Sequence, residues 1–286
     1  MRIRIVSPSG AVEPNYIDGA QQVLEQWGHE VSIGIHAKGR FAGFAGTREE
    51  RLSDLNEAYD DPQVDAILCS RGGYGLAQII DKVNINPQKL LIGYSDITCL
   101  HCLYGMNEAT SLHSIMAKHI ATLHEDSEPM QFLRAILDGK RRFSYQLPTN
   151  ELSRLGSAQG ILRGGNLSVL YGLQGTPYQI KADNAILFIE DIGEPQHQID
   201  RILQSLRMSR VFDKINGLIV GQFTDCADDD RLGCTLKQAI LNAVSEYSFP
   251  VVMDFPAGHV EYNLPLLMNT KCELQVTRQL TQLSFI

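Results

Sequence analysis

A serine between a predicted strand and a predicted helix is the first residue that could do chemistry. Ser95 lies in the segment Gly93–Thr98, which follows the apolar residues Leu90–Ile92 and precedes a helical pattern. A hydroxyl at such a turn projects at the sheet edge, where the helix N-terminus stabilises negative charge, so Ser95 could act as a nucleophile. The G-x-S-x-G string of a nucleophile elbow is absent, because Ile97 stands at its last position. The alternative role for this serine is a helix N-cap.

Two glycine-rich segments also follow predicted strands. The backbone N–H groups of Arg71–Gly75 could bind an anion or an oxyanion, and the alternative is a tight turn without a ligand. This segment lacks the G-x-G-x-x-G spacing, because Gln78 stands at the third glycine position, and no P-loop string occurs, so nucleotide binding is not favoured. In the second segment, Arg163–Leu167, Asn166 is a natural N-cap whose side chain could also face a site.

A serine nucleophile needs a general base, and the base needs an orienting acid. Among the eight histidines, His259 is best placed, because it heads a loop after a predicted strand at 251–255 and a turn at 256–258. Glu190 stands at the carboxyl end of an apolar strand, where a carboxylate is costly to bury without a partner. No histidine at ligand spacing accompanies Glu190, so we expect no metal site there.

The other histidines are weaker candidates for the base. His101 and His119 fall inside predicted helices, and His113 ends a strand-like segment from which it could line a cleft. Polar, exposed surroundings are expected for the remaining four, which are His29, His36, His124 and His197.

These candidates need elements that bring them to one sheet edge. Short apolar strands alternate with helical patterns, among them a helix opened by the capping box Thr47–Glu50 and a helix at Leu76–Val83. This alternation predicts an α/β domain with a parallel sheet over 1–140, whose loops meet at the carboxyl ends of the strands. Residues 141–156 are polar and poorly periodic, and we interpret them as a linker. Residues 157–286 mix strands and helices again and form a second α/β domain.

Composition limits the partners of this chain. Its 286 residues carry 25 Lys+Arg against 33 Asp+Glu, a net charge of −8, whereas nucleic acids and anionic membranes select clustered basic residues. No apolar run approaches the ~18–20 residues of a membrane span. The opening Met1–Val6 alternates polar and apolar residues as a strand does, unlike a secretion signal. We therefore expect a cytoplasmic protein without a nucleic-acid or membrane partner.

The six cysteines are expected to be free thiols, because the chain is large and shows no export signal. Cys99 and Cys102 have the spacing of a redox or zinc pair, yet they lie inside a predicted helix and no second C-x-x-C string occurs. Neither a redox nor a zinc role is favoured.

Several strings of this chain occur in the order found in one enzyme family. They are Phe41–Arg48, Ser70–Gly75, Gly93–Thr98, Gly164–Leu167, Phe188–Glu194 with Ile199–Ile202, and Gly258–His259. Together they resemble the LD-carboxypeptidases, the muramoyltetrapeptide carboxypeptidases of peptidase family S66, over nearly the whole chain. The resemblance implies a serine hydrolase that cleaves an L,D amide and releases the terminal D-alanine of murein tetrapeptides during cell-wall recycling.

The resemblance also implies a fold and a site. A flavodoxin-like N-terminal domain would be joined to a smaller C-terminal α/β domain, with the active site between them. Ser95 would be the nucleophile, His259 the general base and Glu190 its orienting acid, while the backbone N–H groups of Asp96 and Gly73 would form the oxyanion hole. No metal or cofactor is implied.

Other side chains near these strings could bind the substrate. Arg71 or Arg163 could clamp a substrate carboxylate, with Gly72 and Asn166 close to them, and a surface salt bridge is the alternative for either arginine. The family tends to have a glycine where this chain has Asn269, and asparagine is the residue that best tolerates the left-handed backbone after glycine.

Two other functions stay open. The family also resembles microcin C immunity peptidases, which cleave acyl-sulfamoyl nucleotides and would need an aromatic face for stacking, whereas Trp27, the only tryptophan, faces a core by its spacing. A non-catalytic muropeptide-binding module is the second alternative, and an intact set of nucleophile, base and acid argues against it. A homodimer is one option for the oligomeric state.

Overall fold

Thirteen strands and eight α-helices make up the protein, whose computed structural model describes residues 1–286. The strands are β1 (Arg2–Val6), β2 (Glu30–Ile33), β3 (Ala66–Cys69), β4 (Leu90–Ile92), β5 (Ser111–His113), β6 (Phe143–Pro148), β7 (Gly156–Asn166), β8 (Ala185–Ile192), β9 (Ile215–Thr224), β10 (Val251–Val252), β11 (Leu266–Met268), β12 (Lys271–Val276) and β13 (Leu280–Phe285). The helices are α1 (Pro14–Gln26), α2 (Arg48–Asp60), α3 (Thr98–Met106), α4 (Ala117–Thr122), α5 (Glu128–Leu137), α6 (Leu167–Leu173), α7 (Gln196–Met208) and α8 (Leu236–Ala243).

The chain divides into two compact units. The first consists of Met1–Lys140 with Glu261–Leu267, and the second of Arg141–Val260 with Met268–Ile286. Each unit therefore contains residues from both sides of position 260.

The first unit contains a six-stranded sheet with the order β11-β5-β4-β3-β1-β2. The pairs β1–β2, β1–β3, β3–β4 and β4–β5 are parallel. The order 2-1-3-4-5 is that of flavodoxin, so the predicted α/β fold with a parallel sheet is confirmed. Because parallel strands end at the same edge, the loops that follow β1, β3 and β4 lie side by side.

The second unit contains a seven-stranded mixed sheet with the order β10-β9-β8-β7-β12-β13-β6. Strands β7 to β10 pair in parallel, whereas β12, β13 and β6 join them as an antiparallel extension. Strand β8 is buried along Ala185–Asp191, as expected for a central parallel strand covered on both faces.

Local signals explain where the helices of the first unit begin. The Thr47 side chain accepts a hydrogen bond from the Glu50 N–H, and the Glu50 carboxylate accepts one from the Thr47 N–H, so the predicted capping box opens α2. Helix α1 begins at Pro14, whose missing N–H costs nothing in the first turn. The longest helices, α1, α2 and α7, have 13 residues each, and none of the eight has the length and apolar character of a membrane-spanning helix.

The segment that we interpret as a linker differs from that expectation. Residues 143–148, within 141–156, form strand β6, which pairs with β13 in the second sheet. Phe143 and Tyr145 are buried and alternate with exposed neighbours, which is the period of a half-buried strand. Arginines precede this segment and a proline ends it, so its short alternation of apolar and polar residues is not conspicuous in the sequence.

The predicted helix at Leu76–Val83 is wrong. The structure has two 3₁₀ turns there, Leu76–Gln78 and Ile80–Lys82. The segment is only about two turns long and contains three β-branched residues, so little opposes the tighter local geometry.

All six cysteines are free thiols, as predicted. Cys69, Cys99, Cys102 and Cys272 are buried, and Cys226 and Cys234 are partly buried. Burial raises the pKa of the Cys272 thiol to about 12, which keeps it protonated and unreactive at neutral pH.

Candidate active site

Ser95 lies at the carboxyl end of β4 in a strained turn. Its φ is 68°, in the left-handed region that residues other than glycine rarely adopt, and Gly93 before it has a φ of 156°. Ser95 begins a 3₁₀ turn, Ser95–Ile97, that leads into α3. The N-cap positions of this turn and of α3 are Tyr94 and Ile97, so the N-cap alternative for Ser95 is wrong. Strain of this kind concentrates at functional sites.

The glycine turn after β3, Gly72–Gly75, reaches the Ser95 turn. A Cβ atom at Gly72 would lie 2.6 Å from the Ser95 Cβ, 2.8 Å from its Oγ and 3.2 Å from the Asp96 nitrogen. Only glycine therefore fits at position 72 without displacing the serine. The next residue, Gly73, has a φ of 102°, and the Gly72 carbonyl accepts a hydrogen bond of 3.0 Å from the Gly10 N–H. The structure brings Gly72, Ser95 and Asp96 together.

Arg71 precedes this turn and is anchored to the loop after β1. Its Nη1 donates a hydrogen bond of 2.6 Å to the Ala11 carbonyl, and the residue is exposed. A guanidinium has five N–H donors, so the contact with Ala11 leaves an Arg71 side chain that is held in place and carries its charge at the surface.

Glu190 and His259 form a hydrogen-bonded pair in the second unit. His259 Nδ1 lies 2.7 Å from Glu190 Oε2, and Glu190 is completely buried. A carboxylate partner at Nδ1 favours the tautomer with the proton on that nitrogen, which makes Nε2 the basic nitrogen. Burial raises the pKa of the Glu190 carboxyl above its ordinary value, and the hydrogen bond with His259 opposes that rise.

The backbone around His259 is shaped to fit this pair. Gly258 has a φ of 129°, and a Cβ atom on it would lie 3.0 Å from Glu190 Oε2. The Thr224 hydroxyl donates a hydrogen bond of 2.9 Å to the His259 carbonyl. The loop that carries the imidazole is therefore tied to the end of β9.

Asn166 stands beside Glu190 on the neighbouring strand, in register with it. Its side chain caps α6 by accepting a hydrogen bond from the Val169 N–H, as predicted. Its Nδ2 donates a hydrogen bond of 2.9 Å to Asp191 Oδ1, and Asp191 also accepts from the N–H and the hydroxyl of Ser168. The structure thus brings Asn166, Glu190 and His259 together in the second unit.

Arg163 occupies a different environment from Arg71. It is 8% exposed, and its Nη1 donates a hydrogen bond of 3.0 Å to the Lys181 carbonyl. This arrangement supports a structural contribution within the second sheet more than a surface salt bridge.

One of the other histidines differs from what the sequence indicates, and a second makes a contact that the sequence did not predict. His29 is buried rather than exposed, with Nδ1 3.3 Å from the N-terminal amine. His101 is buried inside α3, as a helix position allows, but it also supports the Ser95 turn, because its Nε2 lies 2.9 Å from the Gly93 carbonyl oxygen. Burial lowers the pKa of His101 to about 4, so this imidazole is neutral at neutral pH.

Sequence reasoning missed two polar side chains that contact the glycine turn or the Ser95 turn, namely Ser9 and Arg51. Arg51 lies on α2 in the stripe of buried positions that also contains Asp54, Leu55 and Ala58. Charged side chains are rarely buried without partners. The position of Arg51 in a buried stripe is therefore a sequence signal that could have identified it.

Comparison with known proteins agrees with this architecture. Residues 3–117 match the model of the LD-carboxypeptidase N-terminal domain, and residues 159–274 match that of the LD-carboxypeptidase C-terminal domain. The chain is 30% identical to a Bacillus subtilis protein named "probable murein peptide carboxypeptidase", over 97% of this chain and 89% of the relative.

Solved structures share the fold. The muramoyltetrapeptide carboxypeptidase of Oxalobacter formigenes superposes with a TM-score of 0.86 at 27% identity, covering 100% of this chain and 98% of the other. A microcin C7 self-immunity protein in complex with glutamyl sulfamoyl guanosine also has a TM-score of 0.86, with coverages of 99% and 95%, but its 21% identity shows the fold alone. On the two domain matches and the sequence identity, the chain belongs to the LD-carboxypeptidase family, peptidase family S66.

Proposed function

We propose that this protein is a serine-type LD-carboxypeptidase that releases the terminal D-alanine from murein tetrapeptides. Family membership supports the carboxypeptidase activity, and the names of its relatives support the murein substrate. The observation that carries the proposal is the hydrogen bond between His259 and the buried Glu190, because a histidine oriented by a carboxylate is the base that a serine nucleophile requires. Six free thiols suit the reducing cytoplasm, where we place the reaction.

The proposed mechanism uses three side chains. His259 Nε2 takes the proton of the Ser95 hydroxyl while Oγ attacks the carbonyl carbon of the L,D amide, and Glu190 stabilises the imidazolium that forms. The tetrahedral intermediate collapses, the C–N bond breaks, and His259 gives its proton to the nitrogen of the leaving D-alanine. Water, deprotonated by His259, then attacks the acyl-enzyme, and the proton returns to Ser95 as the tripeptide leaves.

The oxyanion of this intermediate would be stabilised by backbone N–H groups. We assign this role to Asp96 and Gly73, because the glycine turn lies against Ser95 with room for no side chain at Gly72. Such groups lower the barrier most when they are fixed in place before the reaction.

The substrate carboxylates need a positive partner on a chain whose net charge is −8. We assign this role to Arg71, which is exposed and adjacent to the glycine turn. Asn166 lies beside Glu190 and is a candidate for polar contacts with the peptide. Arg163 is the weaker candidate, because it is nearly buried.

Replacement of the nucleophile tests the proposal. We expect Ser95→Ala to lose on the order of 10⁴–10⁶ in kcat on L-Ala-γ-D-Glu-L-(diamino acid)-D-Ala, measured as D-alanine release by mass spectrometry. Ser53→Ala, at an exposed serine of α2, is the matched control and should retain full activity. Undiminished turnover by Ser95→Ala would refute the proposed mechanism.

The same assay separates the two competing functions. An immunity-type peptidase would cleave glutamyl sulfamoyl guanosine in preference to the tetrapeptide, and a binding module would bind the tetrapeptide in calorimetry without releasing a product. The stacking face that a nucleotide needs is not supplied by Trp27, which is buried and packs against the Arg134 guanidinium.

A further inference from the structure

Three loops at the carboxyl edge of the first sheet are joined by one carboxylate. Asp96 is 3% exposed, and its Oδ2 accepts a hydrogen bond of 2.6 Å from the Ser9 hydroxyl and one of 2.9 Å from the Leu76 N–H. Ser9 lies in the loop after β1, and Leu76 directly follows the glycine turn after β3. The backbone of Asp96 itself belongs to the Ser95 turn after β4.

A buried guanidinium contacts two of these loops, the one after β1 and the one after β3. Arg51 is 2% exposed, and its Nη1 donates hydrogen bonds of 2.7 Å to the Pro8 carbonyl and 3.1 Å to the Gly75 carbonyl. Asp96 therefore accepts from residues 9 and 76, while Arg51 donates to their neighbours at 8 and 75. The two side chains satisfy donors and acceptors on adjacent residues of both loops.

Burying the charges of Asp96 and Arg51 costs free energy. Burial raises the pKa of Asp96 and lowers the pKa of Arg51, and the charge of each residue opposes the shift of the other. The hydrogen bonds that each side chain makes with the surrounding loops offset this cost, so the two residues hold those loops in place.

We propose that Asp96 and Arg51 are positioning residues that hold the glycine turn against Ser95, so that the N–H group of Gly73 points at the oxyanion as it forms. This inference rests on the proposed role of Ser95 as the nucleophile. Asp96 then acts in two ways. Its N–H stabilises the oxyanion, and its carboxylate holds the loops that surround it. Neither side chain needs to touch the substrate.

The proposal predicts a loss that is confined to kcat. Oxyanion stabilisation operates in the transition state and not in the bound substrate, so a displaced glycine turn lowers kcat. Arg71, to which we assign substrate binding, stays tied to the Ala11 carbonyl, so KM changes little. A misplacement of about 1 Å costs on the order of 10²-fold in rate. We expect Asp96→Ala to lose about 10- to 100-fold in kcat, with a KM within about twofold of the wild-type value.

The conservative variant separates positioning from charge. In Asp96→Asn the amide oxygen can accept both hydrogen bonds, from Ser9 and from Leu76, so we expect kcat within about threefold of wild type. Asp54→Ala is the matched control, because Asp54 is a buried carboxylate of α2 that accepts a hydrogen bond from the His36 N–H away from Ser95. It should lower the melting temperature and leave kcat unchanged.

The experiment is steady-state kinetics on the tetrapeptide with thermal denaturation of every variant. Wild-type kcat in Asp96→Ala, with Ser95→Ala inactive, overturns this inference and leaves the proposed function intact. Activity in Ser95→Ala overturns the proposed function itself. Equal loss of kcat in Asp96→Asn and Asp96→Ala would also refute positioning by these hydrogen bonds.

A second variant keeps the test decisive if Asp96→Ala does not fold. Arg51→Lys retains the positive charge but cannot reproduce the guanidinium hydrogen bonds to the carbonyls of Pro8 and Gly75. The same loss in kcat at constant KM is expected for it. An Arg51→Lys protein that folds and retains wild-type kcat would refute the role of Arg51.

Discussion

At the scale of one residue, Glu190 shows how a buried carboxyl lowers stability. Its carboxyl is completely buried, and its Oε2 lies 2.7 Å from Nδ1 of the His259 imidazole, which is neutral when unprotonated. The raised pKa of this carboxyl means that the folded chain binds a proton at Glu190 more tightly than the unfolded chain does. Ionisation of Glu190 therefore reduces the free energy of unfolding as the pH rises above about 4, the ordinary range of a carboxyl group.

Glu190→Gln should give a more stable and less active protein. Glutamine does not ionise, so the melting temperature of the variant relative to wild type should rise between pH 4 and pH 7 in thermal denaturation. Without the negative charge the His259 imidazolium loses its stabilisation, and we expect kcat to fall on the order of 10²–10⁴-fold. A variant that loses stability with increasing pH as wild type does would contradict the raised pKa.

At the scale of secondary-structure elements, the pairing of two strands brings the glycine turn and the Ser95 turn together. Strands β3 and β4 are parallel neighbours, so their following loops meet at one edge, and the close approach of Gly72 to Ser95 follows from that pairing. The backbone at Gly72 does not require a positive φ. What excludes a side chain there is the neighbouring turn alone.

Gly72→Ala should therefore damage catalysis more than folding. The new methyl group would lie within 2.8 Å of both Ser95 side-chain atoms and would force the serine aside. We expect a loss of at least about 100-fold in kcat, checked by the D-alanine assay. Gly172→Ala is the control, because its Cβ meets open space in α6 and should stabilise the helix by about 0.5–1 kcal/mol. Full activity in Gly72→Ala would mean that the turn moves freely.

Regular elements were predictable where a local signal coincided with the final structure. The four-residue capping box at Thr47 predicts where α2 begins, and β3 and β4 are recognisable as short apolar runs. The segment Leu76–Gln78 was not predictable as a 3₁₀ turn, because its hydrogen-bond partners are distant in sequence. The Leu76 N–H donates to Asp96, and Arg51 donates to the Gln78 side chain.

The candidate site was predictable only in part for the same reason. The types of Ser95, Glu190 and His259 and their places after strands suggest chemistry, and their joint role stays a prediction that rests on the family. The left-handed backbone of Ser95 cannot be read from its residue type, because serine shows no preference for it. The left-handed turn at Asn269, with a φ of 60°, was predictable, because asparagine tolerates that region.

At the scale of the whole molecule, the first unit is discontinuous in sequence. Its sheet ends at β11, whose buried leucines Leu266 and Leu267 come from the far end of the chain. A fragment that stops at Lys140 would leave β5 as an unpaired apolar edge strand, and such edges promote aggregation.

The fragment 1–140 should therefore fail to fold as a stable unit. We expect a broad or absent thermal transition and self-association in size-exclusion chromatography. A version that carries residues 261–268 on a flexible Gly/Ser linker should recover cooperative unfolding, because it restores the edge strand. Identical sharp transitions for the two fragments would show that β11 contributes nothing to the first sheet.

Strand β11 also sets the order of events during synthesis. A ribosome that has completed residue 140 must add more than a hundred further residues to reach Leu266, which takes about 6 to 25 s at typical elongation rates. During that interval the nascent chain contains Ser95 and its surrounding loops but not the final strand of their sheet. The Ser95 turn is thus synthesised early on the ribosome, whereas the sheet that supports it is completed only after β11 has been added.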